Sequence, residues 1–304
     1  MKNKFDELTK AMAQSVTRRA ALKKFGFSLG SLALARFGLN KAQAITNGQL
    51  DGNTHPNVGG FVWLKNIWSS DPPPVFIGTG ILIHPSIVLT AGHGTYAAES
   101  AVASGIMSMD DLLISFASDA TDPATWRQVS ALITHPSYFD TPNGNGPPLS
   151  DTGVAILTVP ITDLPLMPLA PVGFLDALDA AGALLSGPDG TRFTVAGYGA
   201  VLGEDPHQTL FPPDGLRRFT ESAFHSLHER WLYLDVKPVQ DLGGGGAGDS
   251  GGPTLWRDLV TGESTLVAVN SRGNGSLDSK SRVDTQEALS FLTQVIVQVE
   301  AGQL

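Results

Sequence analysis

The chain has 304 residues, 34 of them Gly and 20 Pro, with 16% charged side chains and no cysteine. That length can bury a core in one large domain or two smaller ones, and the balance excludes a coiled coil and charge-driven disorder in favour of a loop-rich, mostly β globule. Zero Cys excludes disulfides, thiolate metal sites, a cysteine nucleophile and a lipidated N-terminal Cys; by itself it points to a reducing cytosol, and a net charge of −9 argues against a nucleic-acid partner.

The charge is uneven along the chain. Residues 1–44 carry nine Lys/Arg and two acids, a local +7, which leaves 11 basic and 27 acidic side chains, a local −16, in the remainder. Arg18-Arg19 precede a modestly apolar run from Phe25 to Ala35, and the small-x-small site Ala42-Gln43-Ala44 follows. Basic head, apolar middle and small-residue cleavage site are the three parts of an export signal. The run is too short and too rich in Gly and Ser for a membrane span. Arg18-Arg19 with Leu22-Lys23 resemble a twin-arginine signal, the type that exports proteins already folded; Ala21 stands where that pattern often has Phe. The expectation is a signal over residues 1–44, cleavage near Ala44, and an exported protein, periplasmic or extracellular. A chain folded before export has little occasion to form disulfides, so the missing cysteines fit that route as well.

From Ile45 onward, short strands alternate with Gly, Pro, Asn and Asp clusters. The predicted strands are Gly60–Ile67, Val75–Ile83, Ser86–Thr90, Leu112–Phe116, Gln128–Thr134, Val154–Val159, Phe193–Tyr198, Phe219–Phe224, Trp231–Asp235 and Thr265–Asn270. Even spacing without long helices between them suggests barrels or sandwiches. The proline-rich stretch from Pro160 to Pro171 is the linker candidate. One helix closes the chain: Asp284 and Glu287 form a capping pair, and Ala288, Phe291, Leu292, Val295, Ile296 and Val299 share one apolar face.

The sharpest motif is Gly248-Asp249-Ser250-Gly251-Gly252-Pro253. Glycines let the backbone turn tightly around a serine, and the amides of Gly248 and Ser250 can converge as an oxyanion hole. A serine hydroxyl attacks a carbonyl only with a base, and the base needs an orienting carboxylate. Leu89-Thr90-Ala91-Gly92-His93 ends one apolar strand, and Asp151-Thr152-Gly153-Val154 opens another. Alone, such a histidine or aspartate is more often a packing residue or a strand-start cap; three motifs in the order His, Asp, Ser read differently.

These motifs resemble the chymotrypsin/trypsin-like serine proteases, and the likeness extends through Gly78-Thr79-Gly80-Ile81-Leu82-Ile83, His135-Pro136-Ser137-Tyr138, Gly197-Tyr198-Gly199 and Ser271-Arg272-Gly273. The resemblance implies an all-β fold of two packed antiparallel barrels with a C-terminal α-helix, one barrel over 45–170 with His93 and Asp151, the other over 171–304 with Ser250. It implies that Ser250 is the nucleophile, His93 the general base and acid, and Asp151 the orienter supported by Ser271. The strand from Ser271 through Arg272 to Gly273 would pair with substrate. Ile45-Thr46-Asn47-Gly48 resembles the start of active family members, where the freed isoleucine ammonium pairs with the aspartate before the serine, here Asp249. Gly244 stands where trypsins keep their specificity carboxylate, and Asp278 falls near a wall position usually held by glycine, as an exposed loop acid or a pocket acid favouring a basic side chain.

The implied function is an exported serine endopeptidase acting on protein or peptide substrates, with no cofactor, no metal, no nucleic acid and no stable membrane association, as a monomer. A non-catalytic binding protein on the same fold, or an esterase with the same triad, are the alternatives. His84 and His135 read as structural, and His225 with His228 lack a third ligand for a metal. Gly243–Gly246 lacks the Lys and Ser/Thr of a phosphate loop and reads as a pocket wall.

Overall fold

The computed structural model describes residues 48–64, 74–139, 150–187, 189–200, 213–237, 240, 242–273 and 276–304; the basic segment 1–44 and Ile45 lie outside the described residues. Strands β2 (Val58–Trp63), β3 (Val75–His84), β4 (Ile87–Thr90), β5 (Leu112–Ser115), β6 (Trp126–Thr134) and β7 (Gly153–Leu157) form a closed barrel in the order β2-β3-β4-β7-β6-β5. A second barrel uses β8 (Arg192–Gly197), β9 (Arg218–Leu227), β10 (Trp231–Asp235), β11 (Pro253–Arg257), β12 (Ser264–Gly273) and β13 (Leu277–Arg282). Its order is β9-β10-β13-β12-β11-β8, and the β8–β9 pairing closes it. A two-residue strand β1 (Gln49–Leu50) adds to the start of β9. All pairings in both barrels are antiparallel. Closure pairs every barrel strand on both sides among the described residues, which limits the hazard that edges carry in an all-β chain; only the two-residue β1 stands at a sheet end.

Two closed six-stranded antiparallel barrels followed by a C-terminal helix are the chymotrypsin-like double-barrel architecture. Each barrel has its own apolar core. A third cluster, with Ile81 and Leu89 from the first barrel and Ala196, Leu255 and Val269 from the second, joins them and receives the helix. Thr79 stitches the seam: its amide donates to Ser250 O at 2.9 Å, its hydroxyl to Gly248 O at 2.9 Å, and Tyr198 N donates to that hydroxyl at 3.1 Å. Arg217, wholly buried, ties several segments at once. It pairs with Asp51 at 2.7 Å and donates to the carbonyls of Val58 and Phe116 and to the Tyr198 hydroxyl.

Each predicted strand has a counterpart: Trp231–Asp235 coincides with β10, residues 65–67 of the predicted Gly60–Ile67 lie outside the described residues, and the others differ at their ends, while β1, β11, β13 and two helices carry no such signal in the sequence. β13 reads Leu-Asp-Ser-Lys-Ser-Arg, and Asp278, Lys280, Ser281 and Arg282 are all buried in it; a strand whose inward side chains are polar shows no apolar alternation. Helix α1 (Gly92–Ala103) opens on two glycines, poor helix formers, without a side-chain cap. Helix α2 (Phe174–Ala180) lies in the connection between the barrels. That connection is tied down at Met167 N to Leu82 O, 2.9 Å, and Ala170 N to Leu266 O, 3.0 Å.

The closing helix is α3 (Gln286–Glu300), with Ala288, Phe291, Leu292 and Val295 buried. Its cap differs from the expected pair. Thr285 is the N-cap and accepts from Ala288 N at 3.2 Å. The Asp284 carboxylate instead accepts from Leu175 N and from the Arg282 guanidinium, each at 2.8 Å. A buried cation on the next strand position outcompetes a helix-end amide for a carboxylate. Among the described residues no helix is long and apolar enough to cross a membrane.

Candidate active site

β4 and β7 are neighbours, with Thr90 opposite Gly153. In an antiparallel pair the residues just after one strand lie beside those just before the other, so this register puts His93 next to Asp151 although 58 residues separate them. The approach is closer than side chains would allow. A Cβ on Gly92 would meet Thr152 O at 2.8 Å, and one on Gly153 would meet the Thr95 hydroxyl at 2.3 Å. Both glycines are therefore required where α1 packs onto β7.

Asp151 is fully buried. It accepts from His93 N at 2.7 Å through Oδ1, and its Oδ2 contacts His93 Nδ1 at 2.8 Å and takes a short hydrogen bond from the Ser271 hydroxyl. Its own amide donates to Ser281 Oγ at 3.1 Å. On the far side of the imidazole, Nε2 lies 2.9 Å from Ser250 Oγ. An unbroken hydrogen-bonded line thus runs from Ser271 through Asp151 and His93 to Ser250, crossing the seam between the barrels.

Burial works against the charge on Asp151, but the His93 charge, its hydrogen bonds and that of Ser271 prevail and hold the carboxyl at about 2. For His93, burial opposes the imidazolium, and the Asp151 charge and hydrogen bond overcome it, raising the pKa above 6.5. The exposed Arg272 guanidinium pulls the other way. A partly exposed imidazole, its side chain 31% accessible, can still exchange protons with a ligand.

Ser250 sits in a turn whose Gly248 has φ +95° and Gly251 φ +82°, backbone that favours glycine. A Cβ on Gly251 would lie 2.0 Å from the Thr90 hydroxyl, so the turn can seat only as glycine. Among the described residues neither the Gly248 nor the Ser250 amide has a hydrogen-bond partner, so both can donate to a ligand oxygen. Asp249 points the other way, into the protein. It accepts from Gly199 N at 2.7 Å and Gly246 N at 2.8 Å, and its side chain fills the space that side chains on Gly197 and Gly199 would occupy. Burial outweighs those two amides and pushes its carboxyl up to about 7.

The remaining candidates fall as follows. Gly244, Gly245 and Gly273 all lie beside Asp278: Gly245 N donates to Asp278 Oδ2 at 2.7 Å, and Cβ atoms on Gly244 and Gly273 would meet its carboxylate at 2.7 and 2.1 Å. Asp278 is not the exposed loop acid that is one of the two sequence readings. It is 2% exposed, within β13, and its Oδ2 takes a second bond from Lys280 Nζ at 2.8 Å. Lys280 and Ser281 were not singled out in the sequence, for the same reason that β13 was missed. Thr79 belongs to a motif of the resemblance, but its role at the seam has no local signal, since its hydroxyl's partners are 119 and 169 residues away.

His135 is buried against Phe291, and His84 accepts from Ser86 N in the turn before β4. His225 contacts Asp235 at 3.0 Å, while the His228 ring packs on Tyr233. Among the described residues no group of three His, Cys, Asp or Glu is placed to hold a metal ion. Ile45 is outside the described residues, so its relation to Asp249 is not part of this geometry. No protein-family model matches the sequence, and no curated protein is significantly similar to it.

Proposed function

We propose that this chain is an exported serine endopeptidase. The observation that carries the reading is the hydrogen-bonded line Ser271–Asp151–His93–Ser250 beside two amides without partners among the described residues. Ser250 Oγ attacks the carbonyl carbon of a peptide while His93 Nε2 takes its proton. Asp151, ionised and held by Ser271, keeps the proton of His93 on Nδ1 and stabilises the imidazolium. The tetrahedral oxyanion rests on the amides of Gly248 and Ser250. His93 then gives its proton to the leaving amine, an acyl group stays on Ser250, and water activated by the same histidine releases it. Residues Ser271–Gly273, at the exposed end of β12, pair with the extended substrate as an added strand.

Export and activation belong to the same reading. Cleavage of the twin-arginine-type signal after Ala44 frees Ile45, whose ammonium pairs with the buried Asp249 and steadies the Gly248–Ser250 turn. The −16 charge that remains works against nucleic acid and anionic lipid as partners, and the enzyme acts as a monomer on protein or peptide. A fluorophosphonate probe tests the chemistry: it should label the processed protein covalently and fail on Ser250→Ala. An unlabelled processed protein overturns the reading in favour of a binding protein. N-terminal sequencing of the active form tests activation; an active enzyme starting anywhere but Ile45 sinks that part.

A further inference from the structure

Glu99 is an acid close to the triad that takes no part in the chemistry above. It lies half-buried on α1, the helix that carries His93. Its carboxyl makes a short hydrogen bond with the Thr134 hydroxyl at the end of β6. That hydroxyl lies 2.7 Å from the Thr95 hydroxyl, which donates to Gly92 O at 3.0 Å. Gly92 directly precedes His93, and Thr95 is buried where α1 meets Gly153 of β7. The line Glu99–Thr134–Thr95–Gly92 thus ties the first two turns of α1 to the end of β6, opposite Gly153.

The protons available set the direction of this line. A threonine hydroxyl has one proton to give, and an ionised carboxylate has none. Three hydrogen bonds join the four groups, yet Thr95 and Thr134 supply only two protons. The Gly92 carbonyl can only accept, so Thr95 gives its proton there and Thr134 gives its own to Thr95. Nothing is then left for the link to an ionised Glu99. If Glu99 took the Thr134 proton, the two hydroxyl oxygens would face each other at 2.7 Å unless Thr95 let go of Gly92. A protonated Glu99 supplies the third proton and closes every bond.

The surroundings favour that state. Burial raises the Glu99 pKa above 4.5 and outweighs the Thr134 hydroxyl and amide, which oppose it. α1 packs on β6 and β7. No side chain of β7 ionises, and β6 has only Arg127, at the end away from Thr134. Asp151, before β7, is bound by His93 and Ser271, and Tyr138, after β6, lies against Tyr96. His135, next to Thr134, is turned to Phe291. Among the described residues Glu99 has no ion-pair partner that would hold it as a carboxylate.

We propose that Glu99 is a positioning residue acting as a neutral acid: its proton begins a one-way line of donors, Glu99 to Thr134 to Thr95 to Gly92 O, that pins the first turn of α1 and sets His93 between Asp151 and Ser250. The inference rests on the serine-hydrolase reading above. Loss of that proton breaks one of the three bonds and frees the turn to shift. Glutamine keeps the line, because its amide donates to Thr134 as the acid does. Leucine cuts it at the start. Valine at position 95 cuts it in the middle and releases the Thr134 proton, which can then go to the Glu99 carboxylate and stabilise its charged form.

The test uses the processed protein and two readouts. The rate of fluorophosphonate labelling reports how well His93 activates Ser250, whatever the natural substrate. The carboxyl carbon NMR signal of Glu99, identified by its absence in Glu99→Gln, reports the proton. In the unaltered protein the Glu99 midpoint should lie above 4.5, and in Thr95→Val it should fall. Glu99→Leu and Thr95→Val should be labelled about tenfold more slowly, and Glu99→Gln should restore the rate to within about twofold. A midpoint at or below 4.5, a midpoint that stays or rises in Thr95→Val, or a Gln variant as slow as the Leu variant overturns the inference. A charge-bearing or merely space-filling Glu99 would not shift its titration downward when a neutral hydroxyl two bonds away is removed. If Glu99→Leu does not fold, the two midpoints decide the matter. Labelling of the unaltered protein with the wrong midpoints defeats only this inference; no labelling defeats the enzyme reading on which it stands.

Discussion

His93 lies under two opposed influences, each with a measurable signature. Burial disfavours its charge, the Asp151 charge and hydrogen bond favour it and prevail, and the Arg272 guanidinium opposes it. Only the neutral imidazole can accept the Ser250 proton, so kcat/KM should rise with pH through the His93 titration, with a midpoint above 6.5. Replacing Arg272 by alanine removes a cation that opposes protonation and should move that midpoint to still higher pH. A pH–rate profile of both proteins checks this, and a midpoint that moves down contradicts the electrostatic account. The three catalytic candidates were legible in the sequence because each sits in a short local motif. Asp278 was legible as a candidate but not in its role, since burial and the Lys280 contact are properties of the strand pairing.

At the scale of elements, α1 and β7 meet without room for a single added methyl. Gly92→Ala would press a Cβ to 2.8 Å from the Thr152 carbonyl, and backbone cannot yield as a side chain can. The helix must shift and carry His93 away from Asp151; a displacement near 1 Å should lower kcat by about a hundredfold, while thermal denaturation reports how much of the fold survives. Arg217 is the corresponding element-scale tie, linking the Asp51 segment, β2, the end of β5 and the end of β8. Arg217→Ala would leave Asp51 ionised and buried and would take the guanidinium donor from the Phe116 carbonyl, while the Val58 carbonyl keeps the Tyr198 hydroxyl. That should destabilise the protein by about 3–5 kcal/mol, read from the midpoint of urea unfolding. His55 also contacts Asp51 and stays in place, which puts the expectation toward the lower figure.

For the whole molecule, the pH dependence of stability distinguishes two kinds of buried acid. Asp51 and Asp151 are held near 2. For Asp51, burial is outweighed by His55 and Arg217; both acids contribute stability above their ordinary titration that is lost as pH falls from about 4 towards 2. Asp249 has the opposite sign. Its folded pKa of about 7 exceeds its ordinary 3.8, so the native state binds the extra proton, and stability should fall as pH rises between those values. Asp249→Asn removes that decline, which denaturant titrations from pH 4 to 8 would reveal. In the processed form, an Ile45 ammonium on Asp249 should remove it too. If precursor and processed protein share the same slope, the proposed pairing is absent.

The sequence by itself determined the strand-rich class, the double barrel by resemblance, and the short motifs around Ser250, His93 and Asp151 that make them candidates. These are written locally, in apolar alternation, in glycines around a nucleophile, and in residues flanking a strand. It also separated the basic segment 1–44 from an acidic remainder, which composition averaged into one number. Only the tertiary structure decided that β13 is a strand at all, that Thr285 rather than Asp284 caps the last helix, and that Asp278 lies buried against Lys280. Those outcomes turn on polar groups removed from water, whose partners are chosen by proximity across the fold. A buried carboxylate goes to the donors that surround it, and no pattern along the chain names them.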